Sequence, residues 1–378
     1  MAIVLAVLAG LIWWNFRASR LVDLPSVPPA APPAEVPVLE DIPPVAAPAL
    51  EDIPLAVSLA QKLEIPWALA FLPDGSIVFT ERAGRVRLID AREGLLAEPL
   101  LTVGETAHRG EGGLLGIAVH PDFTSNHFIY LYYTYQGSES LANRVVRFSK
   151  KDNALLDGKT ILDNIPAAAN HNGGRIKFGP DGMLYVTTGD ASLADLAQDR
   201  DSLAGKILRL KDDGTIPPDN PFPGSPLYSL GHRNPQGLAW DSQGRLWAVE
   251  HGASATDELN LIKPGHNYGW PVIRGDETET GLESPLIHSG QETWAPSGLT
   301  FFDGTLFFVG LRGQSLYQAV IKNEGVTLQR HLDRNFGRLR DVVVGPDNML
   351  YILTSNRDGR GLPAAEDDQI IRINPGKL

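Results

Sequence analysis

From about residue 56 to the C-terminus, short apolar runs alternate with turns rich in Pro, Asp and Gly. Ala68-Leu-Ala-Phe-Leu-Pro-Asp-Gly75 leads into Ser76-Ile-Val-Phe-Thr80, and Arg175-Ile-Lys-Phe-Gly-Pro-Asp-Gly182 leads into Met183-Leu-Tyr-Val-Thr-Thr188. Asp341-Val-Val-Val-Gly-Pro-Asp-Asn348 leads into Met349-Leu-Tyr-Ile-Leu353 in the same way, and three more segments follow the pattern. Each reads as a hairpin: a strand of alternating character, a tight turn, a second strand. The turn aspartates fall at 74, 122, 181, 241, 303 and 347, at intervals of 44 to 62 residues. Most units add a third apolar run, such as Arg85-Val-Arg-Leu-Ile89, Lys206-Ile-Leu-Arg-Leu210 and Gln369-Ile-Ile-Arg-Ile373. Six sheet-forming units at this period predict an all-β six-bladed β-propeller over 56–378, since a β-helix repeats at a much shorter interval.

The first 55 residues break the pattern. Residues 1–22 open with MAIVLAVLAGLIWWNF, uncharged until Arg17, with Trp13 and Trp14 at its end. The run is short for a spanning helix, which prefers about 20 apolar residues. Without a clear basic start or small-residue cleavage site, it fits an uncleaved membrane anchor better than a cleaved signal segment. Residues 23–55 are Pro- and Ala-rich and acidic, and hold ten prolines; Leu-Glu-Asp-Ile-Pro occurs at 39–43 and again at 50–54. Such a stretch is an extended spacer. Anchor and spacer together predict a periplasmic or extracytoplasmic domain tethered to a membrane.

Composition narrows the chemistry. The 378 residues include 38 Gly and no Cys, and the formal net charge is −12. Thiolate metal sites, disulfides and cysteine nucleophiles are excluded. The acidic balance argues against a nucleic-acid partner.

In a propeller the strands are consumed by packing, so chemistry falls to loops at the mouth of the channel. Asn170-His171-Asn172-Gly173-Gly174 presents an imidazole, the natural general base near neutral pH. Asp190 ends the second strand of the same unit and returns to the same rim. Gly231-His-Arg-Asn-Pro-Gln-Gly237 offers Arg233 and Asn234 as donors. Glu250-His-Gly-Ala253, followed by Asp257 and Glu258, suits Ca2+, a hard cation that takes oxygen ligands. Arg338 and Arg340, spaced i and i+2, share one face of a strand, and Arg312 follows the fifth unit. Three arginines at rims of an acidic chain point to an anionic ligand. Taken singly, each feature also fits a solvated loop, an acidic turn or surface ion pairs.

Several phrases resemble the soluble PQQ-dependent aldose sugar dehydrogenases, the glucose/sorbosone dehydrogenase family. They are Glu111-Gly-Gly-Leu-Leu-Gly-Ile-Ala-Val-His-Pro-Asp-Phe123, His171-Asn-Gly-Gly-Arg-Ile-Lys-Phe-Gly-Pro-Asp-Gly182, Gly231-His-Arg-Asn-Pro-Gln-Gly237, Asp257-Glu-Leu-Asn-Leu-Ile262, Asn267-Tyr-Gly-Trp-Pro271 and Arg338-Leu-Arg-Asp341. The resemblance spans 56–378 in blade order and implies a propeller that oxidises aldoses at C1 to the lactone. It implies His171 as the base, assisted by Asp190, with Arg233 and Asn234 beside the quinone oxygens. It implies Arg338, Arg340, Arg312 and Thr293 near the carboxylates of PQQ. The carbonyls of Gly252 and Ala253 are then ligands of a Ca2+ that holds the cofactor, and Glu258 with the carbonyl of Tyr268 a second, structural Ca2+ site. The electron acceptor, a quinone or a cytochrome, is left open. The chain departs from the family pattern at three positions: Glu111 where a cofactor-contacting glutamine is expected, Ala253 for proline, and Arg312 for lysine. A Ca2+-dependent lactonase-type hydrolase and a non-catalytic binding propeller are the competing readings.

Overall fold

The structure, a computed structural model, describes residues 53–322 and 325–378. The hydrophobic segment 1–22 and all of the spacer up to residue 52 lie outside the described residues. Among those described, no helix is long and apolar enough to cross a membrane.

Six antiparallel sheets make up the domain among the described residues. Their innermost strands are Pro66–Phe71, Leu114–Val119, Ile176–Phe178, Pro235–Trp240, Pro296–Phe302 and Leu339–Val344, which open blades 1 to 6 in that order. Each pairs with the strand that follows its turn, so the predicted six-bladed propeller is the observed one.

The periodic aspartate has a local cause. Asp74, Asp181, Asp241 and Asp347 each accept a backbone N–H two residues on, from Ser76, Met183, Gln243 and Met349. This Asx turn closes the hairpin. In blade 3 the other carboxylate oxygen of Asp181 accepts from Tyr185 Oη and Arg209 Nε, and in blade 6 Asp347 does the same with Tyr351 and Arg372. One carboxylate thus ties three strands of a blade together. The apolar faces of the strands fill the spaces between blades, with Trp67, Tyr130, Tyr132, Trp247 and Tyr317 almost wholly buried.

Two features lay beyond the sequence expectation. Blade 5 has third and fourth strands, Leu316–Lys322 and Gly325–His331, in its own hairpin. Blade 6 takes its outermost strand from the other end of the chain: Ala56–Ala60 pairs with Ile370–Ile373 and closes the ring.

Five innermost strands carry a register shift at their start: Pro66/Leu69, Leu114/Ile117, Pro235/Gly237, Pro296/Leu299 and Leu339/Asp341. A bulge re-aims the side chains beside it. Here the bulges sit at one end of the channel, and that end holds the polar residues.

Candidate active site

Blade 3 supplies the imidazole. His171 occupies the left-handed region at φ 61, followed by Gly173 at φ 60. A Cβ on Gly189 would lie 2.0 Å from the His171 carbonyl oxygen, and one on Gly173 would lie 2.6 Å from that of Thr187. Glycine at both places lets the His171 loop lie on the end of the second strand. His171 Nδ1 and Asp190 Oδ1 are then 2.7 Å apart. Asp190 is buried, and its oxygens also accept from Ser192 N (2.8 Å) and Trp270 Nε1 (2.9 Å). With Nδ1 engaged, His171 Nε2 has no hydrogen-bond partner among the described residues.

The His171 N–H reaches Glu111, and Glu111 lines a cavity of about 480 Å³ together with His251, Thr293, Arg312, Arg338, Arg340 and Arg360 among others. Arg338 donates through Nε and Nη2 to Asp358 Oδ2 (3.1 and 2.7 Å), and Arg340 Nη2 stands 4.0 Å from the same oxygen. Arg340 Nη1 donates to Gln236 Oε1 at 2.8 Å. Burial pushes the Arg340 guanidinium down to about 9, against the attraction of Asp358. Its Nε is buried with no acceptor among the described residues. Arg312 is exposed, and no hydrogen bond or ion pair engages its guanidinium among the described residues. Cationic groups therefore outnumber carboxylates around the cavity, and several donors lack acceptors.

Glu111, the first departure from the family pattern, is ionised. Burial pushes its carboxyl up, but the facing His251, the Arg360 guanidinium and the His171 N–H together hold it at about 2. Arg360 Nη1 lies 2.6 Å from Glu111 Oε1, and His171 N donates to Oε2 at 3.1 Å.

A second hollow adjoins the first through His251, Thr293, Ala295 and Arg312, and is also lined by Arg233, Gly252 and Ala253. Arg233 Nη1 donates to the carbonyls of Gly252 (2.6 Å) and His251 (3.3 Å), so main-chain oxygens converge there on one cation. Asp257 fastens this loop: Oδ1 accepts from Gly252 N at 2.9 Å, and Oδ2 accepts from Trp294 N and Ala295 N of blade 5 at 2.6 and 2.8 Å. That carboxylate gives the loop a rigidity that does not depend on a proline at Ala253. Asn234 accepts from Gly173 N at 3.0 Å, and its Nδ2 is buried without a partner among the described residues.

Glu258 lies deeper in blade 4. Burial pushes its carboxyl up to about 8, with Glu250 and Asp257 adding repulsion and the Asn260 amide offsetting part of it. The Tyr268 hydroxyl is spent on the backbone of Leu261 and Lys263, and its ring stacks on His232. Among the described residues no group of three or more His, Asp or Glu side chains has the geometry to hold a metal ion. Ligation of Ca2+ would accordingly rest on main-chain oxygens with single carboxylates.

Of the residues singled out from the sequence, Glu111, Thr293, Arg312, Arg338 and Arg340 line the first cavity and Arg233, Gly252 and Ala253 the second. His171 joins the first through Glu111, Asp190 is held by His171, Glu258 faces Arg233 and Gly252 in a small hollow, and Tyr268 is packed in the core. Four residues with evident parts in the site were not assigned: Trp270, His251, Asp358 and Arg360. Trp270 and His251 lay within segments already marked, Asn267–Pro271 and Glu250–Ala253. Asp358 and Arg360 sit in an irregular loop without a motif, and only the topology brings them to the rim.

A six-bladed propeller with an arginine-lined cavity, joined through Glu111 to the loop of a histidine–carboxylate pair, defines a class: propellers with a cationic pocket among their channel loops. Comparison with known proteins gives the class its family. The family profile for Glucose / Sorbosone dehydrogenase matches residues 63–369, and the chain belongs to that family. It is 35% identical over 335 residues to the aldose sugar dehydrogenase YliI of Escherichia coli, covering 80% of this chain and 90% of that one. It is 36% identical over 256 residues to quinoprotein glucose dehydrogenase B of Acinetobacter calcoaceticus, covering 59% and 53%. The PQQ-bound aldose sugar dehydrogenase of Streptomyces coelicolor superposes with a TM-score of 0.79 at 42% identity, over 84% of this chain and 96% of that one.

Proposed function

We propose that this protein oxidises aldose sugars at C1 to the lactone, with PQQ as the oxidant and His171 as the general base. The chain is a PQQ-dependent sugar oxidoreductase by family. The residue roles rest on one observation: a histidine whose Nδ1 is held 2.7 Å from a buried carboxylate, and whose N–H binds Glu111 in the wall of a cavity edged by four arginines.

The residues present fit the cofactor. PQQ carries three carboxylates on a planar ring system, and the cavity offers the unengaged Arg312 and the orphaned Nε of Arg340. They also fit Ca2+. The carbonyl of Gly252 already receives a cationic group from Arg233, and Glu258, crowded by Glu250 and Asp257, would be relieved by a divalent ion. Gly252 and Ala253 would hold one ion through their carbonyls, and Glu258 with the carbonyl of Tyr268 another. When bound, the quinone supplies a two-electron acceptor for the hydride leaving C1, and Ca2+ supplies a Lewis acid beside it.

The protein's own residues do the rest. In the tautomer that donates from Nδ1 to Asp190, His171 keeps a lone pair on Nε2 and takes the proton of the anomeric hydroxyl. As that O–H bond breaks and the hydride departs, the C1=O bond of the lactone forms. Asp190 stabilises the imidazolium, and Trp270 Nε1 and Ser192 N keep Asp190 in place. Arg338 and Arg340 position the cofactor through its carboxylates.

Reconstitution with PQQ and Ca2+ tests the reading. Aldose-dependent dye reduction is expected from the wild-type chain, and His171→Ala should lose it by at least about 100-fold, the range of a general base. Full activity in His171→Ala would reject the assignment of the base. The hydrolase reading calls for several acidic or amide side chains on one central metal, and the arginine-lined rim favours the dehydrogenase instead.

A further inference from the structure

Glu111 poses a problem for any polyanionic ligand. It lines the same cavity as Arg312, Arg338 and Arg340, and it is ionised. A bare carboxylate there would repel a carboxylate-bearing cofactor and undo part of what the arginines provide.

The structure supplies a counter-charge from a distant part of the chain. Arg360 belongs to the loop after the second strand of blade 6, between Thr354 and Ile370. Its Nη1 meets Glu111 Oε1 at 2.6 Å, and its Nη2 donates to Asn170 Oδ1 at 3.1 Å. Asn170 directly precedes His171, and the His171 N–H is bound to the other oxygen of Glu111. One guanidinium therefore spans the channel mouth from blade 6 to the loops entering blades 2 and 3. Asp358, two residues earlier in the same loop, binds Arg338 and approaches Arg340. A single loop thus provides an acidic partner for the cationic wall and a cationic partner for the acidic one.

We propose that Arg360 is a positioning residue for cofactor binding: by pairing with Glu111 it cancels the one carboxylate that lines the cationic cavity, and through Asn170 it fixes the loop that presents His171. The inference rests on the PQQ reading. It explains how the chain carries glutamate where a neutral amide is expected: Arg360 accompanies the carboxylate, and the pair together is neutral. Half of the Arg360 side chain remains open to solvent, at 54%. The pair is therefore accessible to a ligand entering the cavity rather than sealed in the core.

The test is a charge cycle read by direct binding. PQQ is titrated in the presence of excess Ca2+ into the full-length wild type, Arg360→Met, Glu111→Gln and the double variant Glu111→Gln/Arg360→Met. Affinity is measured by calorimetry, and folding is checked by circular dichroism. Arg360→Met leaves the carboxylate uncancelled and should bind PQQ at least tenfold more weakly. Glu111→Gln keeps an acceptor for the His171 N–H and should bind at least as tightly as wild type. The double variant should recover to within about threefold of wild type, which a merely structural role for Arg360 would not produce. Arg360→Met binding PQQ within twofold of wild type, or a double variant as weak as Arg360→Met, overturns the inference. A wild-type chain that takes up no PQQ overturns the functional reading itself, a different result from a flat cycle.

Discussion

Single side chains in this site act through partners far away in sequence. Glu111 shows this, with Arg360 at a separation of 249 residues. Its carboxyl sits at about 2, against an ordinary 4.5. Between those two values the unfolded chain holds a proton there that the folded chain does not, so stability rises with pH across the window. The contribution is present above about 4.5 and is lost as pH falls through 2. Its full size is on the order of 3 kcal/mol at 1.36 kcal/mol per pH unit. Urea unfolding between pH 2 and 5 should therefore give a shallower dependence for Glu111→Gln than for wild type; parallel curves would show that the ion pair does not hold Glu111 down. The same separation explains what could be read from the sequence at this scale. His171 and the Arg338–Arg340 pair stood out because glycine runs and strand spacing are local signals. Asp358 and Arg360 carry no local signal, since their meaning comes from residues in other blades.

At the scale of elements, the loop between the second and third strands of blade 3 decides whether Asp190 stays at the rim. It runs from Asp190 to Gly205 and contains only the short turn Ala194–Ala197 as regular structure. Its fastener is Lys206, fully buried, whose Nζ donates to the carbonyls of Leu196 (2.7 Å), Ala197 (3.1 Å) and Ala204 (2.6 Å). An ammonium with three carbonyl oxygens serves here as an internal cation bound by loop backbone. A second tie joins Gln198 to Asn267 and to the Trp270 carbonyl, and so couples the loop to the residue that holds Asp190. Lys206→Met would leave the carbonyls of Leu196 and Ala204 without their donor, while that of Ala197 keeps Gly231 N, at a cost of at least about 2 kcal/mol. The expected outcome is a lower melting temperature together with protease cleavage within 191–204. Intact resistance to cleavage would assign the order of the loop to the Gln198 tie alone. The sequence offered Lys206 only as the first residue of a third strand, because the amphipathic pattern marks the strand and says nothing of a lysine turned inward.

For the whole molecule, the decisive contact joins the two ends of the domain. The turn aspartates announced six blades, because each lies within a hairpin of neighbouring residues. The closure was not legible: Ala56–Ala60 follows the spacer, and its partner strand lies more than 300 residues away. Register pairs run from Ala56 with Ile373 to Ala60 with Ile370, and Lys62 N and Leu63 N continue the seam to the carbonyls of Glu366 and Asp368. Without this strand, Ile370–Ile373 would be an open edge of apolar residues, the kind that pairs with other chains. Loss of roughly four backbone hydrogen bonds at about 1 kcal/mol each predicts a destabilisation near 4 kcal/mol. The seam also bears on the site, since Arg338, Arg340, Asp358 and Arg360 all belong to blade 6 or its loop. A chain beginning at Ile53 should therefore melt like the full-length protein and take up PQQ equally well. A chain beginning at Leu63 should melt several degrees lower, aggregate with concentration and bind PQQ weakly, because the closing strand positions the blade that carries the arginines. Equal melting temperatures for the two truncations would mean that blade 6 stands without its N-terminal strand, and the stability of the site would then have to come from the channel wall alone.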